Sequence, residues 1–235
     1  MSNHENLDRK NTQANNGNYT PATTSRLLQP HLLTGYHSRG YLPHLKAEGA
    51  TYWVTFRLAD SLPQHVLRKI EEERKEFTRQ LRKSSKIDPQ ELARKWKRLY
   101  SRRIQEYLDA GFGECWLRRD DIGGLVVTAI QYFDGSRYDL HPWVVMPNHA
   151  HVALTPLHNW TLSSFLHSWR SYTGVKANRI LGREGKPFWQ REAYDHLVRN
   201  QEEFYRICEY TITNPVTAGL CKRPEEWKFS SVFKT

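Results

Sequence analysis

The sequence predicts an α+β fold, a mainly antiparallel sheet with helices packed on it. Three observations predict it. TYWVTFRLA from Thr51 alternates with period two, the apolar runs YDLHPWVVM and HAHVALTP are split by Pro147-Asn148, and helical spacings lie between and after these strands. Along the 235 residues the order reads strand, helices, strand pair, helix, possible strand, helix.

From the N-terminus, residues 1–25 are rich in Asn, Thr, Gln and Ser and nearly lack large aliphatics. They cannot bury enough surface to offset ordering and are expected to form a disordered tail. Residues 26–235 then form one domain. Leu27 to Ala50 reads as loop, punctuated by Pro30, Gly35, Gly40 and Pro43. In the first strand Tyr52, Val54, Phe56 and Leu58 fall on one side, with Trp53, Thr55 and Arg57 on the other. Residues 63–109 are helical and heavily charged, and Asp88-Pro89 marks an N-cap with Pro at the first helical position. This pair is a basic helical insertion, readable either as a gripping arm or as a solvated hairpin.

Ile122, Leu125, Val126, Ala129, Ile130 and Phe133 fit an amphipathic helix capped by Asp120 or Asp121 and stopped by Asp134-Gly135-Ser136. After the strand pair, Thr161 caps a helix with Leu162, Phe165, Leu166 and Trp169 on one stripe. PFWQREAYDH has no clear period. Asn200 opens a last helix, with Glu203 completing a capping-box pattern and Phe204, Ile207, Cys208 and Thr211 as its buried stripe. Pro215 is expected to end it.

Lys and Arg number 35 against 25 Asp and Glu, a formal charge of +10, beside eight Trp, twelve Tyr and nine Phe. Excess positive charge attracts polyanions, and rings beside cations suit unpaired bases. No run approaches the roughly 18 apolar residues of a membrane span. Cys115, Cys208 and Cys221 form no CxxC pair, so a reducing, cytoplasmic setting is expected. HExxH, Walker, GxSxG and GxGxxG patterns are absent, which leaves zinc proteolysis, nucleotide hydrolysis and serine hydrolysis without support.

His149-Ala150-His151 is the strongest local signal. A strand points both imidazoles the same way, while Ala150, Val152 and Leu154 face the core. Two convergent histidines are good divalent-metal ligands; ordinary polar-face residues are the competing reading. Tyr210 and Asn214, four apart, share a helix face. A phenol is a nucleophile once its oxygen can lose its proton near an electrophile, and an amide oxygen is a neutral hard ligand. The plain alternative is a half-buried tyrosine and a C-terminal turn residue.

WVVMPNHAHVALTP, WQREAYDHLVRN and EYTITNPVTAGL, in this order, resemble the REP-associated tyrosine transposases, in the single-tyrosine branch of the HUH endonucleases. The resemblance spans roughly Thr51 to Phe233 and leaves the tail and the 63–109 insertion outside. It implies a ferredoxin-like domain. It also implies Mg²⁺ or Mn²⁺ held by His149 and His151 beside a scissile phosphate, and attack by Tyr210 giving a 5′-phosphotyrosine and a free 3′-OH. Asn214, a third metal ligand, stands where related insertion-sequence transposases carry Gln, so a shorter amide must come closer. The implied partner is single-stranded, hairpin-forming DNA of repeated extragenic palindromes.

Arg170, Lys176, Arg191 and Arg199 are candidate DNA phosphate contacts. His196 is a candidate for proton transfer or the metal shell, or orients Asp195. Trp189 stacks on a base or fills the core. Tyr172, Tyr194 and Tyr205 compete with Tyr210 as nucleophile. The expected activity is a metal-dependent DNA endonuclease and strand transferase, a transposase acting as monomer or homodimer away from membranes. A non-catalytic palindrome-binding protein and a water-using metal phosphodiesterase are the alternatives.

Overall fold

The computed structural model describes residues 33–38, 43–47, 49–83, 103–191 and 193–234. The expected tail and the Asp88-Pro89 junction lie outside the described residues. Strands β1 (Leu33–Ser38) and β2 (Pro43–Ala47) pair as an antiparallel hairpin, where the sequence reading expected loop. Few residues separate the two, so the pair closes at little entropic cost, and Gly35 falls where the register shifts. Gly35 and Pro43, which suggested loop, mark the bulge and the start of a strand instead.

The central sheet holds β3 (Tyr52–Arg57), β4 (Tyr138–Val145), β5 (His149–Pro156) and β6 (Tyr194–Leu197), in the order β4-β5-β3-β6 with every neighbouring pair antiparallel. Helix α1 (Gln64–Lys83) and the helical residues 103–109, α2, fall between β3 and the next core helix, α3 (Asp120–Gln131). Helix α4 (Leu162–Ile180) joins β5 to β6, and α5 (Gln201–Thr217) follows β6. Taken as β3-α3-β4-β5-α4-β6, this is the ferredoxin-like connectivity, with the first and third strands at the centre.

One face of the sheet makes the main core. Val54, Phe56, Ala150, Val152 and Leu154 pack with Ile122, Val126 and Ile130 of α3 and Phe165, Trp169 and Ala177 of α4. Period two therefore aims Trp53, Thr55, Arg57, His149 and His151 at the other face, which α5 covers. Trp189 is buried in the main core, edge-on to Phe56 at 4.9 Å. Leu62, Val66 and Ile70 meet Ile104 and Leu108 in a separate small apolar cluster, and Arg103 of α2 pairs with Glu73 of α1 at 2.7 Å. Where it is described, the insertion is thus two helices packed on each other.

Two helix termini differ from expectation, and a third stands where expected. Arg119 is the N-cap of α3, and Asp120 and Asp121 lie in its first turn, where their charge meets the positive end of the dipole. Thr161 caps α4 by position only, since its hydroxyl meets Ser163 instead of a backbone N–H. Pro215 lies inside α5 instead of ending it. Only two helical residues follow, so the missing N–H costs one bond, and the last turn closes through Ala218 and Leu220 N–H on the carbonyls of Asn214 and Pro215. Among the described residues, no helix is long and apolar enough to cross a membrane.

The two adjacent glycines of α3 give opposite expectations. A Cβ on Gly123 would lie 2.5 Å from the Leu117 carbonyl oxygen and 2.6 Å from the Phe229 ring, whereas one on Gly124 meets nothing within 4 Å. Gly123→Ala should lower stability by about 1–3 kcal/mol through overpacking. Gly124→Ala should raise it by about 0.5–1 kcal/mol. Urea unfolding of both variants checks the two signs.

Candidate active site

The site begins with strand register. β3 pairs with β5 so that Thr55 stands opposite His151 and Arg57 opposite His149. Both histidines are fully buried, and their Nε2 atoms lie 3.1 Å apart. Burial holds the pKa of His149 down to about 3, helped by the nearby Arg57 guanidinium, and holds His151 well below the ordinary imidazole value, helped by His149. Both rings are neutral at pH 7, the form that ligates a metal.

Helix α5 brings Tyr210 over this pair. Its N-terminus is fixed by Asn200, whose Oδ1 accepts from the Glu203 N–H at 2.9 Å. The Glu203 carboxylate reaches back one residue further than a capping box requires, to the Arg199 N–H at 2.8 Å. The Trp53 indole N–H donates to the Thr211 hydroxyl at 3.1 Å, pinning the middle of α5 to β3. The same indole stacks on His151, centroids 4.8 Å apart, and meets the Tyr210 ring edge-on at 5.6 Å. Tyr210 and His151 are 5.5 Å apart, ring to ring.

The Tyr210 hydroxyl and the Asn214 Oδ1 are buried without a hydrogen-bond partner among the described residues. Burial pushes the Tyr210 phenol well above its ordinary pKa. The carboxylate of Asp109, at the end of α2, adds to the rise, and the Asn214 amide offsets part of it without reaching hydrogen-bond geometry. A buried amide oxygen one helical turn from Tyr210, and two neutral imidazoles, are donor types that suit a divalent cation. The 3.1 Å between the Nε2 atoms matches the edge between neighbouring ligands on an ion with bonds of about 2.1 Å meeting near a right angle. Among the described residues no group of three or more His, Cys, Asp or Glu gathers to hold a metal.

The remaining predicted residues are placed as follows. Tyr194 also lies edge-on to Trp53, at 6.0 Å, whereas Tyr172 and Tyr205 are exposed at 49% and 44%. His196, opposite Trp53 in register, turns its Nε2 to Glu203 at 3.0 Å, and Arg199 pairs with the same carboxylate at 2.6 Å. Arg170 of α4 is half-buried and donates to the Gln190 carbonyl. Lys176 of α4 and Arg191 are exposed, and α4 covers the sheet face away from the histidines.

Residue-by-residue reading did not single out Arg57, Thr55, Asn148 or Asp109 as site residues. The alternation of β3 already put Thr55 and Arg57 on one side. Pairing that side with His149 and His151 across β5 is the step that would have found them.

Glu203 makes the outer part of the site pH-sensitive. Burial alone would raise its pKa, but hydrogen bonds from Arg199 and His196 prevail and hold it at about 2, below an ordinary value of 4.5. A depressed carboxylate pKa stabilises the fold fully above about pH 4.5, and the stabilisation is lost as pH falls toward about 2. Glu203→Gln should be less stable than the parent protein by about 1.5–3 kcal/mol at pH 7. Urea midpoints should show the gap closing as pH falls below 4.5.

No family model matches the chain. By sequence it is similar to a protein of Escherichia coli (strain K12) named REP-associated tyrosine transposase, 29% identical over 98 residues. The match takes in 40% of this chain and 54% of that protein, so the chain spans about half the length of the curated relative. It is also similar to a solved structure of a REP-associated tyrosine transposase bound to a REP hairpin, with a TM-score of 0.44 and 18% identity over 84% of this chain and 82% of that one. The resemblance to REP-associated tyrosine transposases expected from the motifs is met in the sequence comparison.

Proposed function

We propose that this protein is a metal-dependent DNA endonuclease and strand transferase that cuts hairpin-forming single-stranded DNA through a 5′-phosphotyrosine at Tyr210. The observation that carries the reading is the buried, unpartnered Tyr210 hydroxyl, on a ring 5.5 Å from His151, itself paired with His149. An unsatisfied buried hydroxyl costs about 1–3 kcal/mol and is retained where function uses it. The name of the curated relative supports the same class of chemistry.

A divalent cation, Mg²⁺ or Mn²⁺, held by His149, His151 and Asn214 would polarise a phosphate oxygen and offset the charge of the phenolate. The chain does the rest. The Tyr210 oxygen bonds to phosphorus, the phosphorus–O3′ bond breaks, and the proton lost by the phenol is matched, through solvent, by the one the 3′ oxygen takes up to leave as a hydroxyl. Trp53 and Thr211 hold α5, and with it Tyr210, against β3. Arg57, charged beside His149, favours an anionic phosphate in the same place. Because a phosphodiester linkage is kept as a protein ester, the freed 3′-OH can attack it and rejoin strands. A flexible strand next to a hairpin presents one phosphate in line more readily than continuous duplex does.

Tyr210→Phe should keep hairpin binding, which comes mainly from distributed cations, and lose cleavage by on the order of 10³-fold or more. Tyr194→Phe should cut at close to the parent rate. Equal loss in both variants, or cleavage surviving in Tyr210→Phe, would refute the assignment. A water-using phosphodiesterase would keep cutting without the hydroxyl, and a pure binder would not cut in any variant.

Imidazole ligands should matter as much as the nucleophile. His149→Ala with His151→Ala should abolish cleavage in Mn²⁺ while hairpin affinity, read by filter binding, stays within a few-fold. Cleavage at the parent rate in the double variant with chelator present would remove the metal from the account.

A further inference from the structure

Next to the histidine pair, the turn ahead of β5 holds a group with no direct part in the proposed chemistry. Asn148 is fully buried. Its Nδ2 donates to the carbonyl of Phe112 at 2.9 Å, and its Oδ1 faces Nδ1 of His149 at 2.7 Å. A carbonyl only accepts, so Phe112 decides which end of the amide it meets, and the amide oxygen is left for the imidazole. An amide oxygen also only accepts. His149 therefore carries its proton on Nδ1 and presents a lone pair at Nε2. Flipping the amide would set oxygen against oxygen at Phe112.

His151 is held by a different kind of partner. Its Nδ1 meets the Thr55 hydroxyl at 2.7 Å, and a hydroxyl donates or accepts by rotating. The lone pair of His149 lies 3.1 Å from Nε2 of His151. With no cation between them, His151 must carry its proton on Nε2 and accept from Thr55 at Nδ1. When both Nε2 atoms turn lone pairs to a cation, the His151 proton must sit on Nδ1, and Thr55 must accept it. One ligand is preset and the other exchanges.

We propose that Asn148, pinned by the Phe112 carbonyl, is a positioning residue that presets the Nδ1–H tautomer of His149, and that the Thr55 hydroxyl lets His151 change tautomer as a divalent cation enters. The proposal rests on the reading of the two histidines as metal ligands. It also gives the exit of the α1–α2 insertion a role at the site. Gly111, with a φ of 68°, turns the chain out of α2, and its N–H closes on the Leu108 carbonyl. The next residue's carbonyl is the one that reads Asn148. Outer partners of this kind commonly alter metal affinity by about 10–100-fold.

Imidazole ¹H–¹⁵N correlation spectra of the full-length protein test it, first metal-free and then with Mg²⁺. The metal-free spectrum should show His149 protonated on Nδ1 and His151 on Nε2, with only His151 changing tautomer when Mg²⁺ is added. Asn148→Ala should lose the single His149 tautomer and weaken Mn²⁺ binding, read by electron paramagnetic resonance, about tenfold or more. Thr55→Val should leave His149 unchanged and weaken Mn²⁺ binding.

Parent protein with His149 protonated on Nε2 would overturn the proposal whether or not any variant folds. So would Asn148→Ala with unchanged tautomer and unchanged Mn²⁺ affinity. The stated tautomers in a protein that never forms a DNA adduct would uphold this proposal and overturn the function proposed above.

Discussion

The register between β3 and β5 is the constraint on which the rest of the site depends. Pairing Thr55 with His151 and Arg57 with His149 sets the imidazoles beside a hydroxyl and a guanidinium, and sends Ala150, Val152 and Leu154 into the core with no exposure at all. A slip of one residue would bury the histidines under α3 and α4 and turn the aliphatic set toward α5. The hydrophobic alternation of β5 thus enforces the orientation of the proposed ligands. The β4–β5 connection is gripped from both sides, by Leu58 N–H on the Asn148 carbonyl and Leu117 N–H on the Pro147 carbonyl, so the histidines start from a fixed turn.

Trp53 transmits that order to the helix. Its indole stacks on His151, meets Tyr210 and Tyr194 edge-on, and donates to Thr211, so one side chain on the central strand sets the distance between the sheet and α5. The site pays in polar burial: two neutral imidazoles, a phenol hydroxyl and an amide oxygen lie out of water, and the last two have no hydrogen-bond partner among the described residues. Such groups lower stability unless something completes them, which is why their convergence reads as a site. The insertion joins this arrangement through the charge of Asp109 on Tyr210, and the loop that follows it through Phe112 at Asn148, although the insertion's apolar cluster is separate from the main core.

What could be read from the sequence was local. Alternation located β3, His149-Ala150-His151 announced two rings on one face, and Asn200 with the stripe of Phe204, Cys208 and Thr211 placed α5. The contacts that complete the site were not local: Thr55 and His151 are 96 residues apart, and Trp53 and Thr211 are 158 apart. Composition carries no record of such register. The β1–β2 hairpin was hidden because glycine and proline mark bulges and strand starts as well as loops. Pro215 misled for a related reason, since a proline in a last turn removes a single bond and need not stop a helix there.

The central claim is that the hydroxyl over the histidine pair becomes bonded to DNA. Its most direct measurement is mass spectrometric mapping of the protein–DNA adduct trapped on a hairpin substrate in Mn²⁺. The account predicts one modified peptide, carrying a 5′-phosphotyrosine at Tyr210. A modification on a peptide that lacks Tyr210, Tyr194 included, or cleavage products with no adduct at all, would contradict it.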